Sequence, residues 1–114
     1  GGGHVAAAVV ALRTIARQTE GNGERQKALG KAGICKLVIE VLNKYIDNTE
    51  VVDAGLTCII WLCRHSDHRK TMSPDNIKSF GKHNACETVV QIVNKYKHTV
   101  EEREREKDNI GGER

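Results

Sequence analysis

The features that this chain of 114 residues lacks exclude several classes of protein. Aromatic residues make up 4% of the sequence, and there is one proline and one methionine. No apolar run approaches the roughly 18 residues that a membrane-spanning helix needs, and no segment has the charged-then-apolar pattern of a signal peptide. We therefore expect an intracellular protein, cytoplasmic or nuclear. The net charge of +3 is too small to predict a nucleic-acid partner by itself.

Patterns that carry catalysis or bind cofactors are also missing. We find no nucleophile at a usable spacing from a base and no glycine-rich phosphate loop, since Gly21-Asn22-Gly23 predicts only a turn. Cys63, His65, Asp67 and His68 could on composition hold a transition metal, but their spacing matches no zinc pattern. The sequence predicts no enzyme, no metal and no cofactor.

What is present is a repeat. Residues 29–45 return as residues 80–96 at an offset of 51 without a gap, with seven identities in 17 positions. Residues 5–16 match residues 52–63 at an offset of 47, again in their apolar positions. Apolar side chains recur at helical spacing in all four segments, which predicts helices at about 5–18 and 51–65 and within 29–45 and 80–96. The difference between the offsets places a four-residue insertion in a polar surface loop at 65–74.

Short helices are predicted at 24–29 and 75–80, ended by Gly30 and Gly81 in the left-handed conformation that glycine permits. With these helices the chain resembles the armadillo repeat family, through residues 28–38, 55–63 and 79–90. The resemblance implies an all-α right-handed superhelix of about two repeats over residues 5–97. Residues 1–4 are then a linker or cloning scar, and residues 98–114 a charged helical extension or tail.

Stacked repeats usually need about three units for stability. We therefore expect a piece of a longer protein that, by itself, either associates through exposed repeat ends or is only marginally stable. The favoured contact is the N-terminal end, through Val5, Val9 and Leu12. The four cysteines should be unpaired, because Cys35 and Cys86 hold equivalent positions one repeat apart.

The resemblance also implies a concave groove lined by the last helix of each unit. The residues of these helices that point away from the predicted core are candidates for binding a partner: Arg13, Thr14, Arg17, Thr57, Trp61 and Arg64. A tryptophan beside arginines is typical of an interaction hot spot, although Trp61 could instead pack against a neighbouring helix. The Trp and Asn ladder of the family's nuclear-import adaptors would fall on Val10, Thr57, Thr14 and Trp61 and is absent, and the arginines favour an acidic or phosphorylated partner.

The resulting prediction is a non-enzymatic scaffold that binds a partner protein or peptide through this surface. A second hypothesis is a regulatory module that binds a small anionic ligand in a basic pocket between helices and controls a catalytic region elsewhere. A third is a purely architectural stacking unit with no ligand of its own.

Overall fold

The computed structural model describes residues 2–64 and 73–112, which form six α-helices and contain no β-strand. The predicted helical core is therefore confirmed, while most of the predicted loop at 65–74 lies outside the described residues. None of the described helices is long and apolar enough to cross a lipid bilayer. The helices are α1 (Gly2–Thr19), α2 (Gly23–Lys31), α3 (Ile34–Lys44), α4 (Thr49–Cys63), α5 (Pro74–Lys82) and α6 (Ala85–Gly112).

Local sequence signals explain where several of these helices begin. Asn22 and Asn48 precede α2 and α4, and their side-chain oxygens accept hydrogen bonds from the backbone N–H groups of Arg25 (3.0 Å) and Val51 (3.1 Å). Each cap thus satisfies an N–H group that has no partner within its helix. Pro74 stands in the first turn of α5, where its missing N–H group costs nothing.

Each helix packs against the helix that matches it in sequence. α1 lies along α4, α2 contacts α5, and α3 contacts α6, while α3 also packs against α4 and α5. The core between these helices is built from aliphatic side chains, two buried cysteines and Phe80, and its fully buried members include Val38, Leu42, Val51, Cys58 and Leu62. The long helix α6 continues from this core through the charged run as far as Gly112.

The buried side of α4 differs from the predicted one. We centred it on Val52, Leu56, Ile59 and Cys63, but the last three are only half-buried, and the side chains at less than 2% exposure are Val51, Ala54, Cys58 and Leu62. The cause is that α4 packs against α1 on one side and α3 on another, so its buried face is rotated and wider than a single stripe.

The N-terminal end also differs from the prediction. Val9 and Leu12 are 3% and 4% exposed, because α4 covers the side of α1 on which they lie. The thiol of Cys58, for example, contacts the carbonyl oxygen of Leu12 at 2.8 Å. These residues belong to the core, and the prediction that they form an uncovered association surface is wrong.

The two repeat-related glycines are not left-handed. Gly30 and Gly81 lie inside α2 and α5, and the left-handed residues are Gly33 (φ 92°) and Asn84 (φ 66°), which lie in the following turns. At Gly30 the reason for glycine is close approach, because a Cβ atom there would lie 2.0 Å from Oδ1 of Asn76.

Candidate partner-binding surface

The six candidate residues lie on two helices that pack side by side. Arg13, Thr14 and Arg17 are exposed on α1, and Arg64, directly after α4, is exposed as well. Thr57 and Trp61 on α4 are half-buried. Because positions on α4 correspond to those on α1 at an offset of 47, Trp61 matches Thr14 and Arg64 matches Arg17. We name these six residues the arginine surface. Four of them therefore occupy equivalent positions of two adjacent helices, while Arg13 matches Ile60 and Thr57 matches Val10.

The two threonines contribute less to this surface than their side chains suggest. The hydroxyl of Thr14 donates to the carbonyl oxygen of Val10 (2.7 Å), and that of Thr57 donates to the carbonyl oxygen of Asp53 (2.8 Å). Since a hydroxyl has a single proton to donate, both protons are already used within their own helices. Each hydroxyl can offer a partner only an acceptor oxygen.

The arginines give the surface its chemistry. Within residues 2–64 and 73–112, the structure shows no carboxylate paired with Arg13, Arg17 or Arg64. Guanidinium groups remain charged at physiological pH and present several donors in a planar fork that matches a carboxylate or a phosphate. No ion pair among the described residues therefore has to break before these arginines can meet an anionic group.

Trp61 combines the two roles that the sequence left open. It packs against the hydrophobic core, and it retains solvent exposure beside Arg64. An indole fixed on one side by packing loses little conformational freedom when a ligand covers its other side. This is the arrangement found at interaction hot spots.

A buried amide holds the end of α4 that carries Trp61 and Arg64. The side chain of Gln26 in α2 is fully buried, and its Nε2 group lies 2.7 Å from the carbonyl oxygen of Trp61 and 2.6 Å from that of Arg64. It also lies 3.2 Å from the carbonyl oxygen of Thr19, at the end of α1. The last carbonyls of a helix have no partner within it. The two protons of Nε2 can satisfy those of Trp61 and Arg64, while that of Thr19 also accepts from the backbone N–H of Asn22 (3.0 Å).

A second amide secures the same helix end. Nδ2 of Asn76 in α5 donates to the carbonyl oxygens of Leu62 (2.7 Å) and Gln26 (3.0 Å), and the backbone N–H of Ser73 donates to that of Cys63 (2.5 Å). Together with Gln26, these contacts fix the backbone of the last residues of α4. The side chains of Trp61 and Arg64 thus project from a backbone that these hydrogen bonds hold in place.

The sequence reasoning missed both amides. Gln26 belongs to a short polar helix, and such a position predicts a solvent-exposed side chain. The repeat does not indicate a buried amide either, because the counterpart of Gln26 at an offset of 51 is Ile77. The available signal was Gly30, which leaves room for Asn76 and indicates a close approach of another side chain.

The grooves between helices bear on the small-ligand hypothesis. One groove, of about 620 Å³, lies between α4 and α6 and is lined mainly by aliphatic side chains, together with Asp53 and Lys97. A groove of about 330 Å³ between α1 and α2 contains one cation, Arg25, whose guanidinium contacts Gln18. A cleft of about 230 Å³ between α2 and α5 has Lys27 and Lys31, together with Asp75. None of the three is lined by cations alone.

The four cysteines differ in how far the described structure buries them. All four are free, as predicted, and Cys35 and Cys58 are buried, whereas Cys86 is exposed. Burial raises the pKa of the Cys58 thiol to about 12 and that of Cys63 to about 11, so both stay protonated at neutral pH. The described residues contain no cluster of metal-binding side chains, and most of the candidate metal group at residues 63–68 lies outside them.

Comparisons with family models, with curated proteins and with solved structures gave no match for this chain.

Proposed function

We propose that this chain is an armadillo-type helical scaffold of about two repeats that binds an acidic or phosphorylated partner protein or peptide through the arginine surface. The solenoid class is supported by the contacts of each helix with its sequence counterpart. It is also supported by the order of short and long helices, in which α2, α3 and α4 form one unit. In this arrangement α1 and α4 are last helices of successive units, and the arginine surface is the face they share.

The observation that carries the binding proposal is that three exposed arginines and a half-buried tryptophan belong to two adjacent helices, α1 and α4, and that Gln26 holds the end of α4. The cations attract an anionic partner and speed its encounter, and the indole supplies apolar contact area once the partner is bound. A scaffold of this kind needs no group that reacts. The high pKa values of Cys58, which is buried, and Cys63, which is half-buried, agree with a structural role for these thiols.

Trp61 provides a direct readout because it is the only tryptophan in the sequence. We would titrate the protein with a glutamate-rich peptide, its phosphoserine-containing version and a lysine-rich peptide of the same length, and follow the tryptophan emission. The two acidic peptides should shift the emission with saturation, and the lysine-rich peptide should not. Added salt should weaken binding, because the attraction between exposed charges is screened.

Charge reversal locates the contact. Arg17→Glu and Arg64→Glu should each weaken binding about tenfold, which corresponds to about 1.4 kcal/mol. Arg103→Glu and Arg105→Glu make the same change in net charge on the exposed extension of α6 and serve as matched controls. If all four variants weaken binding equally, the peptides respond to net charge alone and the arginine surface is not the site.

The small-ligand hypothesis makes a different prediction in the same preparation. Nucleotides or phosphorylated metabolites that bind the folded protein would raise its melting temperature. A scaffold that binds only through the arginine surface should show no such rise with the free small molecules. A clear rise that persists in Arg64→Glu would favour the regulatory module over the scaffold.

A further inference from the structure

The C-terminal end of the helix stack leaves apolar side chains exposed at positions that are buried one repeat earlier. In α3 the side chains of Val38, Ile39 and Leu42 are 1%, 3% and 0% exposed. Their counterparts in α6, at an offset of 51, are 37%, 59% and 58% exposed, and they are Val89, Val90 and Val93. The two helices therefore carry the same apolar face, but only one of them is covered.

The structure shows what kind of element covers such a face. α3 packs against α4 and α5, which follow it in the chain. By sequence, the counterpart of α4 is α1 and the counterpart of α5 is α2. A second copy of this chain carries both elements in the required order at its N-terminal end.

α1 is uncovered on the side that such a contact would use. The residues of α4 that are almost fully buried include Val51, Ala54 and Cys58, and their counterparts on α1, at an offset of 47, are His4, Ala7 and Ala11. All three counterparts are exposed. The N-terminal end also exposes Leu37 of α3 (53%), whereas its counterpart Thr88 is 2% exposed because α6 packs against α3.

The volumes of the facing side chains agree with this fit. Leu42 packs so closely on Gly55 that a Cβ atom on the glycine would lie 2.5 Å from a methyl carbon of the leucine. The corresponding pair between α6 and a docked α1 is Val93 and Ala8. Valine has one carbon atom fewer than leucine, and alanine has one more than glycine. The total number of side-chain carbon atoms in the pair is therefore unchanged. Such volume-conserving exchanges are the ones that packed cores tolerate.

A glycine near the same end fits the same arrangement. Asn76 fills the space in front of Gly30, whereas nothing lies within 4 Å of a Cβ atom placed on the equivalent Gly81. The residue of a second copy that corresponds to Asn76 is Arg25, which is longer than asparagine and exposed. The open space at Gly81 can take this side chain.

We propose that the groove between α4 and α6 binds helix α1 of a second copy of this chain, head to tail. The groove measures about 620 Å³ and is lined by Val52, Leu56, Ile92, Val93 and Tyr96, together with Thr49, Asp53 and Lys97. The incoming helix lies on α4 as α4 lies on α1, with Ala7 and Ala11 at the contact. Since the two surfaces differ, the contact is heterologous and can propagate into open chains.

Two variants that each block one end test this arrangement. Val93→Glu places a charge in the groove, and Ala11→Glu places one on the incoming face of α1. The unmodified chain should show a mass that rises with concentration in sedimentation equilibrium, and each variant alone should remain a monomer. An equimolar mixture of the two should form a dimer, because the intact groove of Ala11→Glu can bind the intact α1 of Val93→Glu. The dimer should grow no further, since the groove and the α1 face that it leaves free both carry a substitution. Ile60→Glu is the control, since its exposed position corresponds to the exposed Arg13 and lies outside both surfaces.

Each alternative result overturns the proposal. An unmodified chain that stays a monomer at every concentration shows that the groove does not take a second copy. Assembly that is lost in Val93→Glu but retained in Ala11→Glu points to a two-fold contact through α6. Failure of the two variants to pair shows that α1 is not the occupant. Circular dichroism confirms folding, and Val90→Glu and Ala7→Glu replace any variant that unfolds, because these positions are also exposed.

Discussion

The contact between Gly55 of α4 and Leu42 of α3 allows the packing of the core to be tested quantitatively. A Cβ atom on Gly55 would lie 2.5 Å from Cδ2 and 2.8 Å from Cγ of Leu42, both closer than packed carbon atoms permit. Leu42 is fully buried and cannot move aside freely. Gly55→Ala should therefore cost up to about 3 kcal/mol in overpacking, offset by about 1 kcal/mol of helix propensity. We expect a net loss of about 2 kcal/mol in the free energy of unfolding.

Leu42→Val should by itself lower the free energy of unfolding by about 1 kcal/mol, since it removes one buried carbon atom. In the double variant the added methyl group occupies the space that the shortened side chain vacates. We expect the double variant to lie within about 1 kcal/mol of the unmodified protein, although additive effects would give a loss of about 3 kcal/mol.

Urea denaturation followed by circular dichroism measures these differences, at a protein concentration low enough to keep the chain monomeric. Gly81→Ala is the control, because nothing lies within 4 Å of its added Cβ atom and the change should be neutral or stabilising by up to about 1 kcal/mol. A stable Gly55→Ala variant, or a double variant that shows simple additivity, would refute the described packing of α3 on α4.

Two further predictions concern buried polar groups. Gln26→Leu should lower the free energy of unfolding by about 3 kcal/mol in urea denaturation, because the carbonyl groups at the end of α4 lose their donor. This value is net of a small gain, since the substitution also removes Gln26 Oε1, a buried acceptor that has no partner among the described residues. Gln18→Leu on the exposed side of α1 should change the free energy of unfolding by less than about 0.5 kcal/mol. Between pH 9 and about 12 the thiol of Cys58 should lower the free energy of unfolding by up to about 1.4 kcal/mol per pH unit, because it ionises near its ordinary pKa of 9.0 when unfolded but only at about 12 when folded. Cys63, whose pKa is raised to about 11, adds to this fall. Cys58→Ala should flatten this decline in pH-dependent urea titrations, whereas the same change at the exposed Cys86 should leave it unaltered.

The positions of the helices were predictable because they depend on apolar spacing, which is a local property. α3 runs from Ile34 to Lys44, within the predicted segment, and the two short helices appear where they were expected. The buried face of α4 was less predictable. A helix that packs against two neighbours buries side chains on two sides, and the sequence of α4 alone does not say where those neighbours lie.

The exposed residues of the candidate surface were predictable from the sequence, but the buried hydrogen bonds that hold the end of α4 were not. Exposure of Arg13, Arg17 and Arg64 agrees with their place opposite the predicted core. The hydrogen bonds of Gln26 to Trp61 and Arg64 join residues 35 and 38 positions apart, and no local pattern encodes such a contact. Apolar spacing identifies faces, whereas buried polar contacts depend on how the helices are placed around one another.

Helix α4 connects the two proposals, because it presents the arginine surface on one side and the α6 groove on another. Trp61 and Arg64 lie at the end held by Gln26, whereas Val52 and Leu56 line the groove. If α4 is rigid, Val93→Glu should abolish self-association and leave peptide binding unchanged, and Arg64→Glu should do the reverse. An effect of either variant on both measurements would mean that the two faces are energetically coupled. Gln26→Leu distinguishes the source of such coupling, since it removes the hydrogen bonds to the backbone of Trp61 and Arg64 but changes no side chain of either surface.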